Sequence, residues 1–194
     1  MNKVKFDRDN VIRVASQLFW EKGFHATSTR DLQEAVNMRP GSIYSAFGSK
    51  EGLYSESLKD YTRQMKIQIE RFLSTSDSIL AGLQAFVESI VIKSEDCSPS
   101  VICMLVKANC EFADKDSNLY DLSLDLAANF EGYLTTLFER AIMHNELNNK
   151  LSAIEYARFF QVQFTGLRSY CNRPGVESLA QPMISQMFTL IKKL

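Results

Sequence analysis

Residues 26–50 read ATSTRDLQEAVNMRPGSIYSAFGSK, a stretch with two helix starts and one helix stop. Ser28 is an N-cap residue, because its hydroxyl can accept a hydrogen bond from a backbone N–H of the first turn. Asn37 tolerates a positive φ and can therefore end the helix that Ser28 begins. Pro40 has a fixed φ and lacks an N–H, which suits the first turn of a second helix. The stretch predicts two short helices joined by a tight turn.

The second of these helices has a surface suited to reading DNA. Ile43 and Phe47 lie four residues apart and predict one buried stripe. Small and polar side chains remain on the outside, where they allow close approach to a major groove and hydrogen bonds to base edges. These outer residues are Arg39, Ser42, Tyr44 and Ser45. Tyr44 and Lys50 suit phosphates better than bases.

Two further helices are predicted around this pair. A helix from about Asp9 to Lys22 precedes it, and Gly23 is its stop. Ser49 begins a long helix that runs from Lys50 to about Leu73. Its N-terminal amides, together with the Lys50 charge, predict an anion site for a phosphate of the DNA backbone.

The rest of the chain also reads as helix. Apolar residues recur at spacings of three and four, and no alternating pattern lasts long enough for a strand. The predicted helices cover about 78–93, 101–112, 119–144, 152–171 and 178–194. The chain has 194 residues and 45% hydrophobic content, which is ample for a second domain. We therefore predict an all-α fold whose domain boundary lies within the connecting helix, giving domains 1–63 and 64–194.

Residues 9–63 resemble the DNA-binding domain of transcriptional regulators of the TetR/AcrR type. The residues that carry the resemblance are Ala15, Leu18, Phe19, Gly23, Phe24, Thr27, Leu32, Ala35, Gly41, Ser42, Tyr44, Phe47, Lys50 and Leu53. One departure is Asn37, where the family usually has glycine. Because asparagine also visits the left-handed region, we expect the turn to form.

The resemblance implies an architecture and a binding site. A three-helix helix-turn-helix head would be joined by a long helix to a helical ligand-binding and dimerisation domain. Residues 39–47 would be the recognition helix, with base contacts from Arg39, Pro40, Ser42 and Ser45 and backbone contacts from Thr29, Tyr44 and Lys50. The full set of candidate DNA-binding residues is Thr29, Arg30, Arg39, Pro40, Gly41, Ser42, Tyr44, Ser45 and Lys50.

The implied function is that of a homodimeric repressor, released from its operator by a small molecule or an electrophile. Two recognition helices about one DNA turn apart would read a near-palindromic double-stranded operator. The helix at about 152–171 is apolar on nearly every side, which favours cover by a partner subunit. Its alternative role is the central core helix of a monomer. The alternative function is a helical structural dimer that does not bind an operator.

Aromatic residues on the later helices could line an effector pocket, since small apolar ligands favour such walls. The run from Cys103 to Lys107 is similar to the segment with the sensing cysteine in the N-ethylmaleimide-type repressors. Lys107 could stabilise a Cys103 thiolate, and the alternative is an inert buried cysteine. The candidate effector residues are Phe86, Cys103, Lys107, Phe112, Tyr120, Tyr133 and Phe164.

Other classes of protein fit the sequence poorly. The chain has two histidines, and it has neither an HExxH motif nor a glycine-rich phosphate loop, so no catalytic residues, metal or cofactor are expected. No membrane partner is expected. The four cysteines fit neither a zinc nor a disulfide pattern and suggest a reducing cytoplasm.

Residues 1–50 hold eight Lys or Arg against five Asp or Glu, although the whole chain has a net charge of −1. This asymmetry places the DNA-binding end first.

Overall fold

The computed structural model describes residues 7–92, 100, 102–113, 117–171, 173 and 175–194. These residues form nine α-helices and one 3-10 turn, without a strand among them, which confirms the all-α prediction. The helices are α1 (Arg8–Lys22), α2 (Thr29–Val36), α3 (Pro40–Phe47), α4 (Lys50–Leu73), α5 (Ile79–Val91), α6 (Met104–Phe112), α7 (Asn118–Met143), α8 (Ala153–Cys171) and α9 (Ala180–Lys193), with the 3-10 turn at Glu177–Leu179. Among the described helices, none is long and apolar enough to pass through a bilayer.

The helix boundaries at the N-terminal end follow from local chemistry. Asp7 caps α1, since its carboxylate accepts a hydrogen bond from the Asn10 amide at 3.1 Å. Gly23 ends α1 with φ at 87°, and Asn37 ends α2 with φ at 51°. Pro40 is the first residue of α3. The predicted stops and starts are therefore confirmed.

Two later boundaries differ from the prediction. α6 begins at Met104, so that Cys103 is its N-cap residue and precedes the helix. Val101, where the predicted helix begins, lies outside the described residues. α9 begins at Ala180, because the residues before it form the 3-10 turn. In both cases apolar residues continue at helical spacing before the first α-helical residue. The spacing alone therefore does not mark where the α-helix begins.

The chain divides into two compact units by its internal contacts. The head unit contains the described residues up to Arg63 together with Cys103–Leu126. The C-terminal unit contains those of Gln64–Ile102 and Ala127–Leu194. By packing, Cys103–Leu126 therefore lies with the head, whereas the sequence grouped it with residues 64–194. The division of function at residue 63 stays a prediction.

The head unit is built around four aromatic rings that join α1, α4 and α6. Tyr54 contacts Phe19 edge-on, with ring centroids 4.9 Å apart, and lies 5.0 Å from Phe24. Phe112 lies 5.3 Å from Phe24. All four rings are buried. Such aromatic pairs add about 0.5–1.5 kcal/mol each beyond their buried area. The cluster thus joins α1 to α4 and α6 within the head.

The C-terminal unit has its own aromatic core centred on Phe160. Its ring centroid lies 5.9 Å from those of Phe138 and Phe164, and 6.2 Å from that of Phe188. Phe86 of α5 joins the cluster through Phe164, at 5.5 Å. The core thus combines α5, α7, α8 and α9.

A network of polar groups joins the end of α1 to the start of α2. The Ser28 hydroxyl accepts a hydrogen bond from the Asp31 amide at 3.1 Å, and the Asp31 carboxylate accepts one from the Ser28 amide at 2.7 Å. This reciprocal pair is a capping box. Lys22 Nζ donates to the same carboxylate at 2.7 Å. The hydrogen bonds from Lys22 and then from Ser28 hold the pKa of Asp31 well below its usual value.

We predict that replacing Lys22 raises the pKa of Asp31 towards the ordinary value of about 3.9. A carboxyl whose pKa is lower in the folded state stabilises the fold above its unfolded pKa, and this stabilisation is lost as the pH falls through the folded pKa. Lys22→Gln should therefore raise the pKa of Asp31 in an NMR titration and weaken the acid dependence of stability. Lys59→Gln removes a similar surface charge that pairs with Glu56, and should leave the Asp31 titration unchanged. An unaltered Asp31 curve in Lys22→Gln would contradict this prediction.

Gly82 provides a second test, in the C-terminal unit. A Cβ atom at this position would lie 2.9 Å from Leu73 Cα, well inside normal contact distance, so α5 packs directly on the end of α4. Gly82→Ala should lower the free energy of unfolding by about 1–3 kcal/mol, as overpacking does. Gly132→Ala in α7 is the matched control, since nothing lies within 4 Å of its added Cβ. The control should gain about 0.4–1 kcal/mol. Denaturant titration at one protein concentration measures the free energy of unfolding of both variants. Equal changes in the two variants would contradict the close packing at Gly82.

Candidate nucleic-acid interface

The turn between α2 and α3 sets the position of α3. Asn37 has φ at 51° and ψ at 46°, and its amide donates to the Gln33 carbonyl. The next amide, of Met38, donates to the same carbonyl at 3.2 Å. Arg39 is the extended N-cap of α3, whose first residue is Pro40. Three residues thus separate two helices of eight residues each. This is the compact geometry of a helix-turn-helix.

The outer face of α3 is small and polar. Arg39, Gly41, Ser42 and Ser45 are exposed, whereas Ile43 is 2% exposed and anchors the inner face. The Arg39 side chain makes no capping hydrogen bond. A groove of about 980 Å³ runs beside this face. The groove is lined by Asp7, Asn10, Val11, Val36, Asn37, Met38, Arg39, Gly41, Ser42, Ser45 and Ala46. Because Gly41, Ser42 and Ser45 are small, this face can approach a major groove closely and present the Arg39 guanidinium and two hydroxyls to base edges.

Thr29 and Tyr44 form a linked pair on the inner edge of this face. Their hydroxyl oxygens are 2.9 Å apart, which joins the first residue of α2 to the middle of α3. Both residues are half-buried. Arg30 differs from them, because it is fully exposed and its guanidinium pairs with Glu34 one turn along α2 at 2.9 Å. Its charge is therefore largely balanced on the protein itself.

Lys50 lies at the N-terminus of α4, as predicted, although its ammonium is turned towards an aromatic ring. Nζ lies 4.2 Å from the centroid of the Phe24 ring, within the range of a cation–π contact. Partial burial lowers the pKa of Lys50. The Ser49 hydroxyl accepts a hydrogen bond from the Gly52 amide at 3.1 Å, which confirms Ser49 as the start of α4. Lys50 is thus held at the edge of the head, beside the first amides of this helix.

Residues of α6 hold the turn after α1, and the sequence analysis missed this role. Lys107 Nζ donates to the carbonyl oxygens of Trp20 and Glu21, each at 2.8 Å. The Glu111 carboxylate accepts a hydrogen bond from the Phe24 amide at 2.8 Å. A Cβ atom on Gly23 would meet the Glu111 carboxylate, so the glycine leaves room for this approach, and its positive φ is a conformation that other residues rarely adopt.

The candidate effector residues fall in both units. Cys103, Lys107, Phe112 and Tyr120 belong to the head unit, and Phe86, Tyr133 and Phe164 belong to the C-terminal unit. Within the second group, Phe86 and Phe164 are buried against each other. The Tyr133 hydroxyl donates to Glu70 at 2.7 Å, and burial followed by this hydrogen bond raises the pKa of Tyr133. Phe112 belongs to the aromatic cluster of the head.

The surroundings of Cys103 differ from the predicted ones. The Tyr61 hydroxyl donates a hydrogen bond to the Cys103 sulfur at 3.4 Å. The Lys107 ammonium is bound instead to the carbonyl oxygens at the end of α1. Cys103 is half-buried, Cys110 is exposed and Cys171 is buried. Cys97 lies outside the described residues. Within the part of the chain that the structure describes, no group of three or more His, Cys, Asp or Glu is arranged to hold a metal ion.

Comparison with known proteins gives a consistent result for the head. Residues 11–56 match the family model of bacterial regulatory proteins of the tetR family. The transcriptional repressor ComR of Escherichia coli (strain K12) is 37% identical over 84 residues, which span 43% of this chain and 37% of ComR. The repressor BdcR of the same strain is 40% identical over 57 residues, 29% of each chain. The matched part spans about a third of the length of these curated relatives.

Solved structures match over nearly the whole length. The TetR-family regulator CifR, solved as a cysteine-substituted form with 26-base-pair operator DNA, is 26% identical. The similarity covers 97% of this chain and 98% of CifR, with a TM-score of 0.76. The regulator KstR2 of Mycobacterium tuberculosis matches 99% of this chain and 98% of its own, at 19% identity and a TM-score of 0.62, which shows the fold alone.

The curated relatives described above are transcriptional repressors, and the similar solved structures are those of transcriptional regulators. These similarities support the expectation that the chain is not an enzyme. Residues 11–56, which match the family model, include the whole of α2, the Asn37 turn and α3. The similarity to CifR continues through the helices that follow. Residues 11–56 thus match the tetR family of bacterial regulatory proteins, and the chain is similar to a TetR-family transcriptional regulator over nearly its whole length.

Proposed function

We propose that the protein is a homodimeric repressor that binds a near-palindromic operator through α3 and is released by a small effector. The observation that carries this proposal is the outer face of α3, on which Arg39, Ser42 and Ser45 are all exposed. Similarity to the repressors ComR and BdcR supports repression rather than activation.

The outer face of α3 suits a short, specific readout. A guanidinium can donate two hydrogen bonds to guanine, and each such pair discriminates by about 1–3 kcal/mol. Serine hydroxyls donate or accept and so add less discrimination. Arg39 is therefore the residue we expect to contribute most to sequence preference. Gly41 allows the helix axis to approach the bases.

Contacts with the DNA backbone are proposed for Thr29, Tyr44 and Lys50. In the hydroxyl pair, one O–H is used between Thr29 and Tyr44, which leaves one proton to donate to a phosphate oxygen. Lys50 adds a positive charge close to the first amides of α4, where a phosphate is favoured. Arg30 contributes less, because Glu34 balances it.

Dimerisation is proposed through α8 and α9, on the evidence of their exposed apolar residues. Val162, in the middle of α8, is 69% exposed. Other large apolar residues exposed on these two helices are Ile154, Tyr170 and Leu190. They alternate with the buried residues that face the core of the C-terminal unit. A second copy covering this face would remove the apolar surface from water and place two heads on one operator.

Release by an effector is proposed to act through the two helices that continue from one unit into the other. α4 runs through Arg63 and α7 runs through Leu126, the points at which the units divide. An effector that binds one arrangement of the C-terminal unit better would shift the population of dimers away from the operator-binding form. Aromatic residues such as Phe86 and Phe164 favour a small apolar effector. An electrophile would act at Cys103, which is half-buried beside the Tyr61 hydroxyl.

We predict that Arg39→Ala lowers affinity for the operator by about 1–3 kcal/mol while affinity for unrelated DNA changes little. The measurement is a gel-shift titration with DNA from upstream of the protein's own gene and with an unrelated duplex of equal length, over a series of salt concentrations. Arg30→Ala is the matched control, because its guanidinium already pairs with Glu34. It should weaken binding less.

Equal losses in the two arginine variants would contradict the role of Arg39. If the wild-type protein shows no preference for any upstream DNA and no salt dependence, the alternative of a structural dimer is supported and the operator-binding proposal fails.

We predict that Val162→Glu converts the dimer to monomers and abolishes tight operator binding, since it places a charge in the proposed interface. Analytical ultracentrifugation at the concentration where the wild type is dimeric measures this. Met143→Glu is the control, because Met143 is also 69% exposed but ends α7. It should remain dimeric. A dimeric Val162→Glu variant would show that the subunits associate through another surface.

A further inference from the structure

α3 is a short helix whose orientation depends on its contacts with the rest of the head. It has eight residues, and Ile43 is its one fully buried side chain among those described. A helix this short depends on tertiary contacts for its stability and orientation. Besides this anchor, the half-buried residues Tyr44, Ala46 and Phe47 can hold the helix against rotation about its own axis. Because rotation would move Arg39, Ser42 and Ser45 relative to the bases, the contacts that resist it matter for DNA reading.

Side-chain contacts of Tyr44 and of Phe47 oppose this rotation. The first is the hydroxyl pair between Tyr44 and Thr29 of α2. The second comes from Arg8, the first residue of α1, whose guanidinium carbon lies 5.1 Å from the centroid of the Phe47 ring. This distance is within the range of a cation–π contact. Phe47 is the last residue of α3, so the two contacts act on different turns of the helix.

Arg8 is itself held in place by α4. Its Nη2 donates to Glu56 Oε2 at 2.9 Å, and Lys59 Nζ donates to the other oxygen of the same carboxylate at 3.1 Å. The hydrogen bond from Arg8, followed by that from Lys59, lowers the pKa of Glu56. The Arg8 guanidinium therefore joins α1, the end of α3 and α4. Its orientation is fixed by a charged partner rather than left to solvent.

The ion pair between Arg8 and Glu56 is partly exposed, with 48% and 29% of the two side chains accessible. Surface pairs of this kind contribute little to overall stability. Removing the pair should therefore leave the fold intact, so that any effect on binding reports the orientation of α3.

We propose that Arg8 is a positioning residue for operator recognition: held by Glu56, its guanidinium packs on Phe47 and fixes the rotation of α3. The inference rests on the proposed operator binding by α3. Arg8 precedes residues 11–56, the part that matches the family model. It therefore adds a residue to the recognition apparatus beyond those named from the sequence.

The competing role for Arg8 is a direct contact with a DNA phosphate. The salt dependence of binding distinguishes this role from the positioning role. Neutralising a phosphate contact reduces the slope of log affinity against log salt by about 0.9 and weakens all DNA equally. A positioning residue instead changes the ratio of operator affinity to non-specific affinity and leaves the slope unchanged. Glu56→Gln separates the two roles further, because it frees Arg8 while making the protein less negative. A phosphate contact would then strengthen, whereas a positioning contact would weaken.

The experiment measures affinities of the full chain for an operator duplex and for an unrelated duplex of equal length at several salt concentrations. The variants are Arg8→Gln, Arg8→Lys and Glu56→Gln, and circular dichroism checks that each is folded. We expect all three to lower the ratio of operator to non-specific affinity by about tenfold, within the range of one mismatched base pair. The salt slope should stay at the wild-type value in each.

Lys59→Gln is the matched control, because it removes a cation that pairs with the same carboxylate from within α4. It should stay within about twofold of the wild-type ratio, since this change is below 1 kcal/mol. In a Phe47→Leu background, Arg8→Gln should cause no further loss.

A salt slope reduced by about one in Arg8→Gln, or tighter binding to both duplexes in Glu56→Gln, would overturn the proposal in favour of a phosphate contact. An unchanged affinity ratio in all three variants would overturn it outright. If the wild-type protein itself does not prefer the operator, operator binding by α3 fails first, and that outcome is distinct from the others.

Discussion

The contact between α6 and the turn after α1 is the constraint on which the head depends. Glu111 accepts the Phe24 amide, and Lys107 satisfies two carbonyl oxygens at the end of α1. The last backbone groups of a helix have no partner within it, so these contacts favour the point at which α1 stops and the direction in which the chain leaves it. The Phe24 ring then packs on Tyr54 and Phe112 and lies beneath the Lys50 ammonium. The placement of α2, of the Asn37 turn and of α3 follows from that exit.

Features determined by neighbouring residues were predictable from the sequence. Ser28, Asn37 and Pro40 act on backbone groups within four residues of themselves, so their chemistry is visible in the local pattern. The all-α class and most helix bounds follow from apolar spacing for the same reason. The exposed face of α3 lies opposite the buried Ile43. This arrangement explains why the candidate DNA-binding residues of α3 lie together on one side.

Features that join distant parts of the chain were not predictable in this way. Glu111 and Lys107 are charged residues on a helix, and such residues usually face solvent, so nothing local indicates that they bind the end of α1. The candidate effector residues show the same limit. Periodicity shows that Phe86 and Phe112 are buried, but it does not name their neighbours, and they belong to different units. Arg8 was missed because its partners, Phe47 and Glu56, lie on two other helices.

The separation of 87 residues between Phe24 and Glu111 has a consequence during synthesis on the ribosome. At about 5–20 residues per second, roughly 4–17 seconds pass between the translation of the first residue and that of the second. A nascent chain that has released only its first three helices lacks the groups that close the end of α1. The end of α1 is therefore closed only after more than half of the polypeptide has been made, so the head reaches its final arrangement late in synthesis.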